Sequence, residues 1–388
     1  MVDQATGLIK LGHKVELFYP NFGLNQLVEV PNEIKINSEN FQERLEDYKS
    51  AHSIYKNQKD VIGLSSLLEL YQINISREIN KHFDILLVHP CIFFRTSSIG
   101  KFVKIPKILY LQEPYRWFYE SLPYLPLIFT EEMLNNNLDL IMGIKFQARL
   151  ENQNVKLYDI VLCNSYYSLE SITRVYGINS KVSYLGIDIN LFPFSEYPRE
   201  NYIIGLGTIY HAKGIDRAIK AISILDYKNR PKLIWIGNGS FNKDKEIYED
   251  LARKLNVNIE FKVNISNEEV IFYLHRAKLL IYTSRLEPFG YAPLEASSCG
   301  TPVVGVPEGG IRETVKDGIN GFLSESNDSI DIANKIKKIL EMNEMEYKNI
   351  SVSSRKYIEE FWAISKSINN LEKTIYNLIQ SIKNSKNN

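Results

Sequence analysis

RLEPFGYAPLEASSCGTPVV, running from Arg285 to Val304, is the stretch on which the reading of this chain turns. It carries two glutamates, Glu287 and Glu295, with a turn at Gly290 between them. A short helix is predicted to begin at about Pro293, because the N–H that proline lacks would be unpaired in a first helical turn anyway. Gly300 stands where a left-handed cap belongs, and Thr301-Pro302 bars continuation. The amides of Gly290, Tyr291 and Ala292, with those of the first turn, are then aimed at one spot, and such a spot attracts phosphate. Carboxylates on either side of an anion repel it, so their natural partners are hydroxyls flanking the phosphate. A sugar nucleotide has hydroxyls on both sides of its diphosphate.

Working outward, short β-branched runs alternate with helical patterns along the chain, which predicts a doubly wound α/β architecture. Strands are predicted at 15–19, 84–88, 105–111, 160–163 and 181–184, and again at 202–206, 232–236, 259–262, 279–282 and 302–306. Leu191 to Asn201 holds two prolines and no period, so it reads as a linker between a domain at 1–190 and a second at 202–364. A length of 388 residues suits two domains, each with its own core. Ligands of such folds sit beyond the carboxyl ends of the strands, and the expected site is the cleft between the halves.

Composition excludes several classes. Lysine plus arginine (46) equals aspartate plus glutamate (46), so a broad electrostatic nucleic-acid surface is not expected. Cys91, Cys163 and Cys299 are isolated and indicate neither a disulfide framework nor a zinc site, which fits a reducing cytoplasm. No apolar run reaches the roughly 18 residues of a spanning helix, and no signal pattern opens the chain. Peripheral contact with the inner face of a membrane stays open.

Residues 285–304 resemble the signature of the retaining GT-B glycosyltransferases of the glycogen-synthase-like and sucrose-synthase-like superfamily, family 4: Glu, Phe-Gly, Leu-Glu-Ala, then Gly-x-Pro-Val-Val. The resemblance continues upstream in Gly205 to Leu225 (GLGTIYHAKGIDRAIKAISIL), and downstream in Gly309-Gly310-Ile311-Arg312-Glu313 and Asp317-Gly318-Ile319-Asn320-Gly321. It implies two Rossmann-like domains, with the helical pattern at 365–382 packing back on the first. It also implies metal-independent transfer, with retention and no cofactor, of a hexose or related sugar. The donor would be UDP- or GDP-linked and the acceptor a hydroxyl of a glycan or lipid-linked glycan. Glu287 would meet donor sugar hydroxyls and Glu295 the two ribose hydroxyls. The family's usual opening strand and glycine-rich turn are not seen here: a helical pattern (Val2, Ala5, Leu8, Ile9, Leu11, then Gly12) leads directly into the second strand. The expectation is that coding sequence upstream of Met1 would supply them; real degeneration of the opening is the alternative.

Transfer from a nucleotide diphosphate requires stabilising a departing diphosphate and an oxocarbenium-like centre. The chain has no Asp-x-Asp pair, so the charge must come from side chains and helix ends. Lys213, just before the predicted helix Ile215–Leu225, is the leading cation; beside Asp216 it could equally be a solvated loop lysine. The family's second clamp is an arginine five or six positions earlier, where this chain has Gly207 and Thr208, and a hydroxyl does not replace a guanidinium fork. Arg285 is a candidate substitute, or a surface arginine paired with Glu287. Glu295 could be no more than a first-turn helix charge. Gly237 and Asn238, at the end of a strand, would let a base or phosphate approach the backbone, or form a plain turn.

On the acceptor side, Gln112, Glu113 and Arg116 are similar to a His-Glu-Pro-x-Arg element of the family, with glutamine in the histidine's place. Glutamine hydrogen-bonds a hydroxyl but moves no proton near neutral pH. A structural Glu113–Arg116 pair is the alternative there, and Ser165 reads as an N-cap rather than a ligand. Two other readings of the whole chain stay open. One is a sugar-nucleotide epimerase or phosphorylase on the same scaffold. The other is a non-catalytic nucleotide-sugar-binding or assembly subunit.

Overall fold

The computed structural model describes residues 1–21, 34–40, 58–91, 94–119, 138–239 and 244–387. The chain divides into two compact units. One holds Met1–Asn164, Ser168–Tyr184 and the chain from Ser367 onward; the other holds Ser165–Tyr167 and Leu185–Lys366. The long C-terminal helix, Ile364–Asn387, therefore gives most of its length to the first unit.

In the first unit the strands are β1 (Glu16–Asn21), β2 (Lys35–Asn40), β3 (Leu86–Val88), β4 (Lys107–Tyr110), β5 (Ile160–Cys163) and β6 (Lys181–Val182). They form two separate parallel sheets, β1-β2 and β3-β4-β5-β6. In β4 and β5 the last three residues are fully buried, as an all-parallel sheet covered on both faces requires. Helix Val2–Lys10 opens the unit and ends at Gly12, whose φ of +95° is the left-handed stop expected there.

The second unit has one continuous parallel sheet built from β7 (Tyr202–Leu206), β8 (Lys232–Gly237), β9 (Ile259–Val263), β10 (Leu279–Tyr282), β11 (Val303–Gly305) and β12 (Gly321–Leu323), in the order β12-β11-β10-β7-β8-β9. The order reverses between β7 and β10. This is the topological switch point of a doubly wound sheet, where the loops leaving two adjacent strands diverge and open a crevice. Helix Ile215–Ser223 shows why the core lies where it does. Its apolar residues Ile215, Ala218, Ile219 and Ile222 fall on one stripe, and all four are fully buried against the sheet with Ile203, Leu233, Trp235 and Ile281.

Ten strands were legible as apolar runs, with ends displaced by a residue or two. β2 (KINSEN) was not, because its residues are mostly polar. β12 was not either: it is three residues long and begins at a glycine that must pack on Val303, where a Cβ would stand 2.0 Å from the Val303 carbonyl oxygen. None of the described helices is long and apolar enough to cross a membrane.

Candidate functional site

The two loops at the switch point of the second unit carry the decisive side chains. The loop after β7 passes Gly207 and Thr208 and reaches Lys213 through a single 3-10 turn, His211–Lys213. It lies close on its neighbour strand: the Trp235 indole donates to the Gly207 carbonyl at 2.8 Å, and a Cβ on Gly237 would stand 2.5 Å from that same oxygen. Gly237 therefore serves backbone packing between the two loops, while Asn238 beside it is exposed. Gly214, at φ +69°, caps the following helix, and a Cβ there would stand 1.9 Å from the Thr283 carbonyl. Only glycine fits both the angle and the space.

Lys213 lies along this loop, where its methylenes would be 3.0–3.2 Å from a Cβ on Gly207, and its ammonium donates to Glu287 Oε2 at 2.8 Å. The first sequence candidate for cation and the first for acid are thus one partly buried ion pair. Glu287 follows Leu286, whose φ of +51° is a left-handed conformation that a leucine adopts only under constraint. The constraint is visible. Gly310 N–H donates to the Glu287 carbonyl at 2.8 Å, and side chains at Gly309 or Gly310 would overlap the Glu287 and Pro288 backbones at 2.3 and 2.2 Å. Glu308, just before these glycines, takes a bidentate pair of bonds from Arg217 at 2.9 and 3.0 Å and a third from Asn327 at 2.7 Å. Burial pushes the Glu308 carboxyl up, but the bonds from Arg217 and Asn327 outweigh it and hold it below the usual range.

Beyond Glu287, helix Tyr291–Ser298 begins two residues earlier than predicted, so Pro293 lies inside its first turn and Gly290, at φ +93°, is its N-cap. Tyr291 and Ala292 are its first two residues, Tyr291 exposed. Gly300 is left-handed at φ +75°, as predicted. Glu295 is half-buried within the helix, and burial alone pushes its carboxyl up to about 7. The Asp317–Gly321 element, in contrast, is structural. Asn320 is fully buried, takes the Lys316 amide at 2.7 Å and donates to Ser297 and the Thr314 carbonyl.

Arg285 is placed differently from the expectation of a substitute clamp or a partner for Glu287. It is buried, and its guanidinium donates to the His211 carbonyl at 2.7 Å and to Asp216 at 2.8 Å. Asp216 supplies a partner from the helix face, and the pair ties the two switch-point loops together. Burial pushes the Asp216 carboxyl up, but Arg285 more than offsets this and leaves it low. The Arg217–Glu308–Asn327 set and the strained Leu286 had no signal in the sequence: the first depends on a contact 91 positions apart and the second on the Gly310 amide bonding to the Glu287 carbonyl.

In the first unit, Gln112, Glu113 and Arg116 follow β4. Gln112 is half-buried. Glu113 takes a hydrogen bond from Arg95 at 3.2 Å and stands 3.8 Å from the Arg116 guanidinium, so the anticipated pair with Arg116 exists but is longer than the one with Arg95. Arg95 in turn lies over the Tyr115 ring, 5.4 Å from its centroid.

Residues 187–356 match the glycosyl transferases group 1 family. The match lies within the second unit and covers most of it. An uncharacterized glycosyltransferase of Methanocaldococcus jannaschii is 26% identical over 304 residues, covering 77% of each chain. The chain spans about half the length of several other curated relatives it matches. Among solved structures, sucrose-phosphate synthase from Thermosynechococcus elongatus superposes with a TM-score of 0.70 at 17% identity, over 97% of this chain and 92% of its own. Anabaena HepE, solved in complex with UDP and glucose, gives 0.68 at 18% identity, over 97% and 94%. The chain thus has the GT-B fold, and its second unit matches a glycosyltransferase family.

Proposed function

We propose that this glycosyltransferase moves a hexose from a UDP- or GDP-linked donor to a hydroxyl of a glycan or lipid-linked glycan, with retention and without a metal ion. The observation that carries this reading is the Lys213–Glu287 ion pair at 2.8 Å, set at the switch point of the donor-side sheet. A diphosphate arriving there competes for the Lys213 ammonium, and the released Glu287 carboxylate then accepts from sugar hydroxyls. The amides at Gly290, Tyr291 and Ala292 add the positive end of a helix to the leaving diphosphate. Glu295, once ionised, suits the ribose hydroxyl pair. No side chain in this group is placed as a covalent nucleophile, so the acceptor hydroxyl attacks on the face the leaving group vacates. UDP in the related Anabaena structure supports trying uridine donors first.

One observation favours a second reading. Thr208 stands where the family's clamp arginine is expected, and Arg285 is bonded to Asp216, so the diphosphate would meet less charge than the chemistry ordinarily uses. A non-catalytic nucleotide-sugar-binding subunit has no need of that charge. Incubation with radiolabelled UDP- and GDP-sugars separates the two. Slow release of nucleotide from one donor, lost in Glu287→Gln, is the expected result; tight binding with neither hydrolysis nor transfer over several acceptors would favour the subunit.

A further inference from the structure

Asparagine is followed by glycine at two places in the chain, Asn238-Gly239 and Asn320-Gly321, and nowhere else. In such a pair the backbone nitrogen of the glycine can attack Cγ of the asparagine, because no Cβ on the following residue stands in its way. Asparagine is for that reason counted among the thermally labile residues. A fold suppresses the attack by holding the side-chain amide away from that nitrogen, and the two pairs differ in this respect.

Asn320 is held. It is fully buried, its Oδ1 accepts the Lys316 amide at 2.7 Å, and its Nδ2 donates to Ser297 Oγ at 3.0 Å and to the Thr314 carbonyl at 3.1 Å. Its own carbonyl accepts from the Val303 amide at 3.0 Å. Rotation that brings Cγ over the Gly321 nitrogen must break the side-chain bonds first. Asn238 is not held. It is exposed, and among the described residues neither its side chain nor the Gly239 N–H has a hydrogen-bond partner. A Cβ on Gly239 would meet nothing within 4 Å, so the space around the attacking residue is open.

We propose that Asn238 is a site of spontaneous deamidation and isoaspartate formation, and that the isoaspartate loosens the loop that carries Lys213. The Gly239 nitrogen bonds to Asn238 Cγ and gives up its proton; the Cγ–Nδ2 bond breaks, and ammonia leaves with that proton. Water then opens the five-membered imide. Cleavage between nitrogen and Cγ gives aspartate with the ordinary backbone. Cleavage between nitrogen and the main-chain carbonyl carbon of residue 238 gives isoaspartate, whose chain runs through Cβ and Cγ. The net change turns an amide and a water into a carboxylic acid and ammonia, with no oxidant or reductant.

The second half of the proposal follows from what the neighbouring backbone holds. The Ile236 carbonyl accepts from the Gly207 N–H at 2.9 Å, and the Gly239 carbonyl accepts from the Ile209 N–H at 2.9 Å. Both donors lie on the loop that runs from β7 to Lys213. Ile236 is fixed within β8, and the Gly237 carbonyl is tied to the Asn264 amide at 3.0 Å. An isoaspartate at 238 lengthens the backbone between these anchors and Gly239, so the bond it displaces is the one to Ile209.

The test is ageing of the full chain in mildly alkaline buffer, with each pair read by peptide mass spectrometry and by isoaspartyl methyltransferase labelling. Conversion at Asn238 is expected to run about 10²-fold faster than at Asn320, the factor that three side-chain hydrogen bonds supply. In denaturant the two pairs should convert at similar rates, since only the fold distinguishes them. Asn238→Gln should remove the fast labelling, because the larger imide ring of glutamine closes slowly. Amide exchange at Ile209 should speed up about fivefold or more in the isoaspartate fraction, and should not change on ageing of the Asn238→Gln chain. Equal or slower conversion at Asn238 in the folded chain overturns the proposal, as does fast conversion with exchange at Ile209 unchanged. Titration with UDP keeps this apart from the donor reading of Lys213. Weaker binding by the aged fraction supports both; unchanged binding with faster exchange at Ile209 supports the modification and counts against the donor reading.

Discussion

The two units solve the same architectural problem with opposite margins. In the second, six strands run unbroken, and the loops at the switch point are locked by backbone-to-backbone contacts at Gly214, Gly237, Gly309 and Gly310, each too close for any side chain. In the first, the sheet is in two pieces and the candidate loop 112–116 is held by side chains, Arg95 on Glu113 and Tyr115. The difference teaches where a sequence signature comes from. Backbone packed on backbone admits only glycine, so its positions read directly as a motif. Side-chain pairs can be rebuilt from many residue types, and they leave a faint trace.

That contrast can be broken at several points. The largest effect is expected from Gly214→Ala, which places a Cβ 1.9 Å from the Thr283 carbonyl. It should lose about 3 kcal/mol or more of stability in denaturant unfolding. Gly177→Ala in the first unit, equally left-handed but with nothing within 4 Å, should lose only about 1–2 kcal/mol. Equal losses would mean that strain, not close approach, sets the glycine pattern.

Next comes Glu287→Gln, which should lower turnover by about 10²-fold or more, as removal of a group aimed at the reacting centre does elsewhere, with the melting curve little changed. Glu308→Gln, which touches no ligand group, should lower turnover by about 10-fold through the loosened Gly309–Gly310 turn, and the effect should fall on kcat rather than on the donor KM. Unchanged kinetics would show that Leu286 and Glu287 hold their conformation without that clasp.

A pH series sharpens the picture at Glu295. Its carboxyl is raised from 4.5 to about 7 in the folded chain, so between those values the folded form keeps a proton that the unfolded chain has lost. Stability should fall as pH rises through that window and level off above it. Donor affinity should rise through about pH 7 as the carboxylate forms. Glu295→Gln should flatten both profiles. The smallest effect is expected at Glu113→Gln in the first unit, within about 1 kcal/mol because its ion pairs are partly exposed. A loss as large as that of Gly214→Ala would overturn the contrast between the two loops.

Much of the local geometry of the candidate site was legible. Lys213, Glu287, Gly290 and Gly300 announce themselves because each is tied to a local event: a helix start, a turn, a left-handed cap. Arg285 illustrates the limit. Its neighbours suggest an anion ligand or a partner for Glu287, yet it binds Asp216, 69 positions away, through a pairing that no local pattern encodes. Glu308 and Arg217 were passed over for the same reason, being 91 positions apart. Asn320 read as part of a loop element and is instead a buried hub beneath the helix that carries Glu295.

The order of residues by itself determined the alternation of strands and helices, the resemblance to a family, and which glycines and acids mark the candidate loops, because these depend on neighbours a few positions apart. Only the tertiary structure decided that Lys213 and Glu287 are partners, that Arg285 is a tie between loops, and that the described strands of the first unit fall into two separate sheets. Those outcomes depend on which distant backbones come within hydrogen-bond reach, and chain order alone carries no record of that distance.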